Sequence, residues 1–160
     1  MIGRTGRVKI LLAFIVLIML GSCSGNLIYT DVAVMPQSVW NLYNKAEFGF
    51  PVSDTTCRTN ISFTVRTGSM YPFRNIFLFV TTYAPDGNSI TDTLEYAIAD
   101  EKGSWLGKGA GDIHELKLPY RQNVYFPEKG TYRFTIQHGM RVEDLRGVYD
   151  FGLRIEKHKQ

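Results

Sequence analysis

Apolar and polar residues alternate with a period of two along most of this chain, a pattern typical of strands that bury one face and expose the other. The clearest example runs from Cys57 to Arg66, where an apolar set ending in Val65 alternates with polar residues. We expect Cys57 to be a small buried side chain in this strand. The same pattern predicts further strands at 27–35, 48–52, 113–118, 132–137 and 151–156.

Residues 71–111 form the segment around which the other strands are expected to assemble. Both faces of 76–83 are largely apolar, which predicts a central strand that is buried on both sides. The sequence PDGN at 85–88 then favours a tight turn, since proline fixes φ and glycine tolerates positive φ. A return strand follows at 93–98. A glycine-rich loop closes the unit, and we expect its Trp105 to be buried at one end of the fold.

The first 22 residues have the order of a secretory signal peptide: basic residues, an apolar run at 10–20, and small residues before a cysteine. The run is shorter than the roughly 20 residues that a membrane-spanning helix needs. The sequence LGSC at 20–23 resembles the lipobox of bacterial lipoproteins. This resemblance implies that Cys23 is acylated, becomes the first mature residue and fixes the protein to a lipid bilayer. An ordinary secretory peptide with a chance cysteine is the alternative.

The fold class follows from the number of predicted strands. Seven to nine short strands separated by turn residues indicate an all-β fold, an antiparallel β-sandwich of the Greek-key or jelly-roll kind. Only single helical turns are expected, near 40–43 and 142–145. Residues 23–160 are enough for one domain with its own core but too few for two. We therefore expect a signal peptide at 1–22, a short tether and a single sandwich domain.

Removal of the signal peptide changes the charge of the chain. The full sequence has 18 Lys and Arg residues against 15 Asp and Glu residues, and all three charged residues of the signal peptide are basic. The mature chain is therefore balanced, and its charge provides no argument for nucleic acid or anionic lipid as a partner. With Cys23 acylated, Cys57 has no partner for an internal disulfide.

Motifs for catalysis and cofactor binding are missing from the sequence. The glycine loop ends in Asp112 where a dinucleotide-binding loop needs glycine, and the loop is one residue too short for a P-loop. The three histidines lack the spacing of zinc ligands. Asp92 and Glu95 would point to opposite faces of a strand, which counts against a catalytic carboxylate pair. We expect no catalytic residue, no metal and no cofactor.

Aromatic residues, which make up 13% of the chain, leave a second function open. Exposed tryptophan and tyrosine rings in a flat platform would indicate a carbohydrate-binding sandwich. Most of the aromatic residues fall in register with other apolar positions, which favours a place in the core. A hydrolase with a carboxylate cleft is a third hypothesis.

Short motifs follow one another along the chain: YP at 71–72, RN at 74–75, DTLEY at 92–96, WLGKG at 105–109 and MR at 140–141. This ordered set resembles the GldH-type gliding-motility lipoproteins of diderm bacteria. The resemblance covers the mature chain, from the lipobox cysteine to the DFGL sequence at 150–153. It implies a non-catalytic outer-membrane lipoprotein of the gliding machinery linked to type IX secretion, with other envelope proteins of that apparatus as partners. The residues that carry it are Tyr71, Asn75, Asp92, Trp105, Gly107, Gly109, Arg141 and Gly152.

The resemblance also bears on location and modification. Surface-exported lipoproteins of such bacteria carry acidic residues directly after the acylated cysteine, and here no acid occurs before Asp31. We therefore expect a domain that is anchored in the outer membrane and faces the periplasm. The sequences DTT at 54–56 and DTL at 92–94 resemble the acceptor for periplasmic O-glycosylation. If either is modified, we expect it to be Thr55, in a turn, rather than Thr93, in a strand; the alternative is a chance match with no modification.

Overall fold

The computed structural model describes residues 26–159, and strands dominate this part of the chain. A single 3₁₀ turn at Pro36–Ser38 interrupts them. No helix among the described residues is long and apolar enough to cross a membrane. The strands are β1 Leu27–Val34, β2 Val39–Asn41, β3 Ala46–Val52, β4 Thr59–Thr67, β5 Asn75–Tyr83, β6 Ser89–Ala97, β7 Lys108–Ala110, β8 Ile113–Val124, β9 Gly130–His138, β10 Asp144–Arg146 and β11 Val148–Lys157.

Two antiparallel sheets pack face to face. The first has the strand order β1-β11-β4-β8-β7, and the second has the order β3-β9-β5-β6. The short strands β2 and β10 pair as a separate ribbon. Every strand pairing is antiparallel, so the prediction of an all-β antiparallel sandwich is confirmed.

The core lies between the two sheets and is rich in aromatic rings. Phe151 of β11 packs against Trp40 of the ribbon and Phe63 of β4, with ring centroids 5.0 and 5.3 Å apart. All three side chains are fully buried. The predicted inward faces of β4 and β11 are therefore confirmed, because Phe63 and Phe151 lie on them.

Strand β5 corrects the expectation that both of its faces are buried. Ile76, Leu78 and Val80 point into the core and are fully buried. Phe79, on the opposite face, is 42% exposed, because the described chain places no further layer on the outside of this sheet. The strand is nevertheless internal, since it pairs with both β6 and β9.

Three local predictions are also wrong. Trp40 lies in β2 rather than in a helical turn, and the 3₁₀ turn comes just before it. Residues 144–146 form β10, because they pair with β2 across the same ribbon. Cys57 precedes β4 and is only partly buried.

The amino terminus of the described chain lies at one end of the sandwich. The backbone N–H of Lys157 donates to the carbonyl of Asn26 over 2.7 Å, and the N–H of His158 donates to the carbonyl of Arg58 over 2.8 Å. Pro85, in the β5–β6 turn, lies against Gly130 at the same end. We call the surface formed by 26–28, 53–58, 84–90, 123–130 and 157–159 the amino end. The opposite surface, formed by 35–38, 42–45, 68–74, 98–107, 111–112 and 139–143, is the far end.

Candidate functional site

Most of the residues that carry the family resemblance gather at the far end, although the sequence spreads them over about half of the chain. Tyr71 lies between β4 and β5, and Asn75 opens β5. Trp105 and Gly107 lie between β6 and β7, and Arg141 lies between β9 and β10. These connections meet because β4, β6 and β9 all end at this side of the sandwich.

Tyr71 fixes the conformation of the loop before β5. The residue is 5% exposed, and its hydroxyl group donates a 2.7 Å hydrogen bond to the backbone carbonyl of Asn75. Burial raises the pKa of this hydroxyl group well above its ordinary value, so it stays protonated and remains a donor. The ring lies beside those of Phe73 and Trp105, at centroid distances of 6.1 and 6.3 Å.

Trp105 was expected to be buried at one end of the fold, but it is only partly buried. Its ring stacks on the imidazole of His114 at a centroid distance of 5.4 Å, with an angle of 12° between the planes. An isolated β-bridge pairs its backbone with that of Ala99. Trp105 thus packs against the edge of the core and remains partly exposed.

Gly107 and Gly109 are required for close approach of the backbone. A Cβ atom at Gly107 would lie 2.6 Å from the carbonyl oxygen of Glu115, and one at Gly109 would overlap the carbonyl of Ile113. Both glycines therefore let β7 pair with β8, which explains the glycine run without a phosphate ligand. Gly152 has a similar role in β11, where an added Cβ would lie 2.5 Å from the Thr64 hydroxyl oxygen.

Two open grooves at the far end share Phe73 as a wall. The first has a volume of about 400 Å³ and is lined by Phe73, Phe77, Gly139, Met140 and Arg141. The Met140 thioether accepts a hydrogen bond from the backbone N–H of Phe77 over 3.3 Å, which holds the floor of the groove. Arg141 is exposed at its rim. We call this the Met140 groove.

The second groove is larger and more polar. Its volume is about 690 Å³, and charged side chains of Arg74, Glu95, Asp100 and Glu101 line it. Asn75 donates a 2.7 Å hydrogen bond from its side-chain amide to the Glu95 carboxylate across the groove wall. Sequence reasoning identified Asn75 and Arg141 but missed both grooves. The apolar residues on the outer face of β5 were the available signal.

Asp92 does not lie at the far end. It lies on β6, at a place where the edges of the two sheets meet. Its carboxylate accepts hydrogen bonds from the Tyr120 hydroxyl group and the Arg121 guanidinium group, both over 2.6 Å. The bond from Tyr120 is the largest cause of a lowered Asp92 pKa. Tyr96 adds a second link across this seam by donating to the carbonyl of Pro119 over 2.6 Å. Asp92 is therefore a structural residue of β6.

The geometry of the described residues provides no metal centre. Within 26–159, no group of three or more His, Cys, Asp or Glu side chains is placed to bind a metal ion. Asp92 and Glu95 point to opposite faces of β6, as predicted, because one contacts β8 and the other contacts Asn75.

The two threonines in acceptor-like sequences are Thr55 and Thr93. We expected Thr55 to be the more exposed of the two, and the structure shows the reverse. Thr55 is half-buried in the β3–β4 connection, where Asp54 accepts bonds from the backbone and side chain of Thr56. Thr93 is exposed on the edge strand β6, so the expectation that a strand position is less accessible is wrong. Cys23 lies outside the described residues.

Comparisons with known proteins identify the family. Residues 27–155 match the sequence model of the GldH lipoprotein family. The gliding motility lipoprotein GldH homolog of Christiangramia forsetii is 34% identical over 88% of this chain and 90% of its own length. The gliding motility lipoprotein GldH of Flavobacterium johnsoniae is 36% identical over 88% of this chain and 91% of its own length.

A solved structure of infectious bursal disease virus, Gx strain, overlaps 82% of this chain and 33% of the viral chain. Its 15% identity and TM-score of 0.34 are too low to relate the two proteins. The family match and the two relatives, by contrast, span nearly the whole sandwich. The chain therefore belongs to the GldH lipoprotein family.

Proposed function

We propose that this protein is a non-catalytic component of the gliding-motility and type IX secretion-linked envelope machinery. In this proposal, acylated Cys23 anchors it in the outer membrane, and the domain faces the periplasm. The names of the two curated relatives support a motility role. The placement of the family residues supports a role in contacting other proteins.

The separation between the amino end and the far end carries this proposal. Strand β11 runs from one end to the other with 10 residues, which corresponds to about 33 Å at the usual rise of a strand. The tether attaches at the amino end, so the family residues at the far end lie on the side away from the lipid. That surface is placed to contact a second envelope protein.

The Met140 groove has the character of a protein-docking surface. Its floor and walls are apolar, while the exposed guanidinium group of Arg141 stands at its rim. An apolar centre with a charged rim is typical of interfaces in which a few buried contacts supply the affinity. We assign this groove to an apolar side chain of the partner and Arg141 to a neighbouring acidic or carbonyl group.

Reversal of the charge at residue 141 tests the proposed docking surface. The variant is tested in a gliding host that lacks its own family member. Arg141→Glu should abolish colony spreading and should prevent other envelope proteins from co-purifying with this protein. The amount of the variant protein in the outer-membrane fraction should be normal. Lys117→Glu, exposed in the middle of β8 and away from both ends, is the matched control and should support spreading. Wild-type spreading of the Arg141→Glu strain would contradict the proposed docking surface.

Location and anchoring have their own tests. Cys23→Ala should lose labelling by an alkyne fatty acid and should leave the outer-membrane fraction.

External protease should spare the protein on intact cells and degrade it only after permeabilisation. Cleavage on intact cells would contradict the periplasmic orientation.

The outer face of β5 supports a second candidate function, which is glycan binding. Phe77 and Phe79 lie side by side on this face, and Phe79 is paired in register with Thr93 on one side and Gln137 on the other. Exposed rings flanked by hydrogen-bonding side chains suit the faces and hydroxyl groups of sugars. Retarded migration in gels containing soluble polysaccharide, lost in Phe79→Ala, would support this candidate over protein docking.

A further inference from the structure

Exposed apolar side chains surround the point where the chain enters the sandwich. Ile28, two residues after the first described residue, is 38% exposed. Tyr125 in the β8–β9 connection is 58% exposed, and Ile90 at the start of β6 is 64% exposed. Their exposure in water is unfavourable unless another apolar surface covers them.

These three side chains belong to one continuous region of the amino end. Ile28 lines a pocket of about 150 Å³ together with Phe126 and Lys157. Phe126 also lines a neighbouring groove of about 300 Å³, in which Ile90 and Tyr125 take part. The buried ring of Phe126 therefore connects the apolar side chains on both sides of the amino end.

Charge does not explain this surface. The exposed charged groups around it nearly cancel, so attraction to an anionic partner is not its main property. Basic side chains at this end have apolar stems that lie along lipid while the charged group stays in water. The basic residues are Arg58, Lys129, Lys157 and Lys159, and the acidic residues are Asp54, Asp86 and Glu128.

The position of the proposed anchor identifies what covers this surface. Cys23 lies three residues before Asn26, so the tether spans only about 10 Å even when fully extended. An acyl chain on Cys23 therefore keeps Asn26 within about 10 Å of the lipid headgroups, but does not by itself fix the orientation of the sandwich. Tyrosine is enriched at that depth because its ring is apolar and its hydroxyl group is polar.

We propose that the amino end is a membrane-contact surface, on which Ile28, Ile90 and Tyr125 enter the headgroup region of a phospholipid bilayer. The contact depends on apolar burial, not on anionic lipid. It keeps the sandwich upright, with the far end pointing away from the membrane. This inference rests on acylation of Cys23 and adds an orientation that acylation alone does not require.

Site-specific fluorescence on the acylated full chain tests the contact. With Cys57 replaced by serine, an environment-sensitive NBD probe is attached at Lys129→Cys, four residues after Tyr125 in the same connection, or at Met70→Cys, which is 68% exposed at the far end. The proteins are reconstituted into phosphatidylcholine and phosphatidylethanolamine vesicles, with and without brominated acyl chains. Probe attachment uses exposed positions only, so the core remains unchanged.

We expect the probe at position 129 to show blue-shifted emission and bromine quenching, at low and high salt alike, while the probe at 70 stays aqueous. Ile28→Ser with Tyr125→Ser should remove this quenching, and Tyr43→Ser, an exposed far-end control, should not. An aqueous probe at 129 in vesicle-bound protein would overturn the contact and leave the anchor intact. Quenching at both positions would overturn the upright orientation, and failure to co-sediment with vesicles would overturn the anchor as well.

Discussion

Replacement of Asp92 by asparagine should show whether the seam between the two sheets stabilises the fold. The Asp92 carboxylate is the shared acceptor for Tyr120 and Arg121 of β8, and its side chain is 26% exposed. The amide of asparagine has nearly the same shape, but it lacks the charge and has one acceptor oxygen. The variant therefore removes the charge-assisted bonds without leaving a cavity.

The expected loss follows from these two bonds. A hydrogen bond to a charged group contributes about 1.5–3 kcal/mol, and an exposed ion pair contributes about 0–1 kcal/mol. Arg121 is nearly half exposed, so most of the effect should come from the half-buried Tyr120 hydroxyl group. We expect the free energy of unfolding to fall by about 2 kcal/mol, or roughly 8 °C in Tm for a domain of this size.

Thermal and urea unfolding of the mature chain with Cys23→Ala would measure this change, and Glu95→Gln is the matched control. Glu95 lies three residues along the same strand and contacts Asn75 on the opposite, exposed face, so its change should cost little. A double-mutant cycle with Tyr120→Phe should give a coupling energy of about 1–2 kcal/mol. An unchanged Tm for Asp92→Asn, or strictly additive effects in the cycle, would refute the reasoning.

The pH dependence supplies a second check on Asp92. Its folded pKa lies below the ordinary value, so its contribution is present above the unfolded pKa of about 3.9 and is lost as the pH falls through the folded pKa. The difference between wild type and Asp92→Asn should thus be constant above about pH 5 and should shrink in stronger acid.

Three further predictions follow from the core and the far end. Trp105→Ala should cost about 1–3 kcal/mol in urea unfolding, less than a fully buried tryptophan, because the ring is only partly buried where it packs on His114 and Tyr71. Gly109→Ala should destabilise by more than 1 kcal/mol and weaken amide protection in β7, because the new methyl group overlaps Ile113. His138 is fully buried, and burial lowers its pKa below the ordinary value of 6.5, while backbone groups of Glu143 and Trp40 oppose this shift only in part. The unfolded state therefore takes up a proton first, so stability should fall as the pH drops below about 6.5, by up to about 1.4 kcal/mol per pH unit until the folded pKa is reached, and His138→Phe should remove this slope.

Local sequence determined most of the strands of this protein and the turn between β5 and β6, whereas β2 and β10 are strands because they pair with each other. Alternation at 59–66 and 151–155 fixes which side chains share a face of a strand, because successive residues always point to opposite sides. The turn at 85–88 is equally local, since Asp86 accepts a hydrogen bond from the backbone N–H of Asn88 two residues later. The ordered motifs were sufficient to identify the family, which the comparisons confirm.

Only the tertiary structure decided which faces are covered and which distant residues meet. A period of two does not tell whether Phe79 lies under a second layer, since that depends on how many sheets stack on β5. Likewise, Tyr71, Trp105 and Arg141 gather at one end because β4, β6 and β9 end on the same side, a property of strand order and direction. Such contacts join residues tens of positions apart, and no local preference of the chain encodes them.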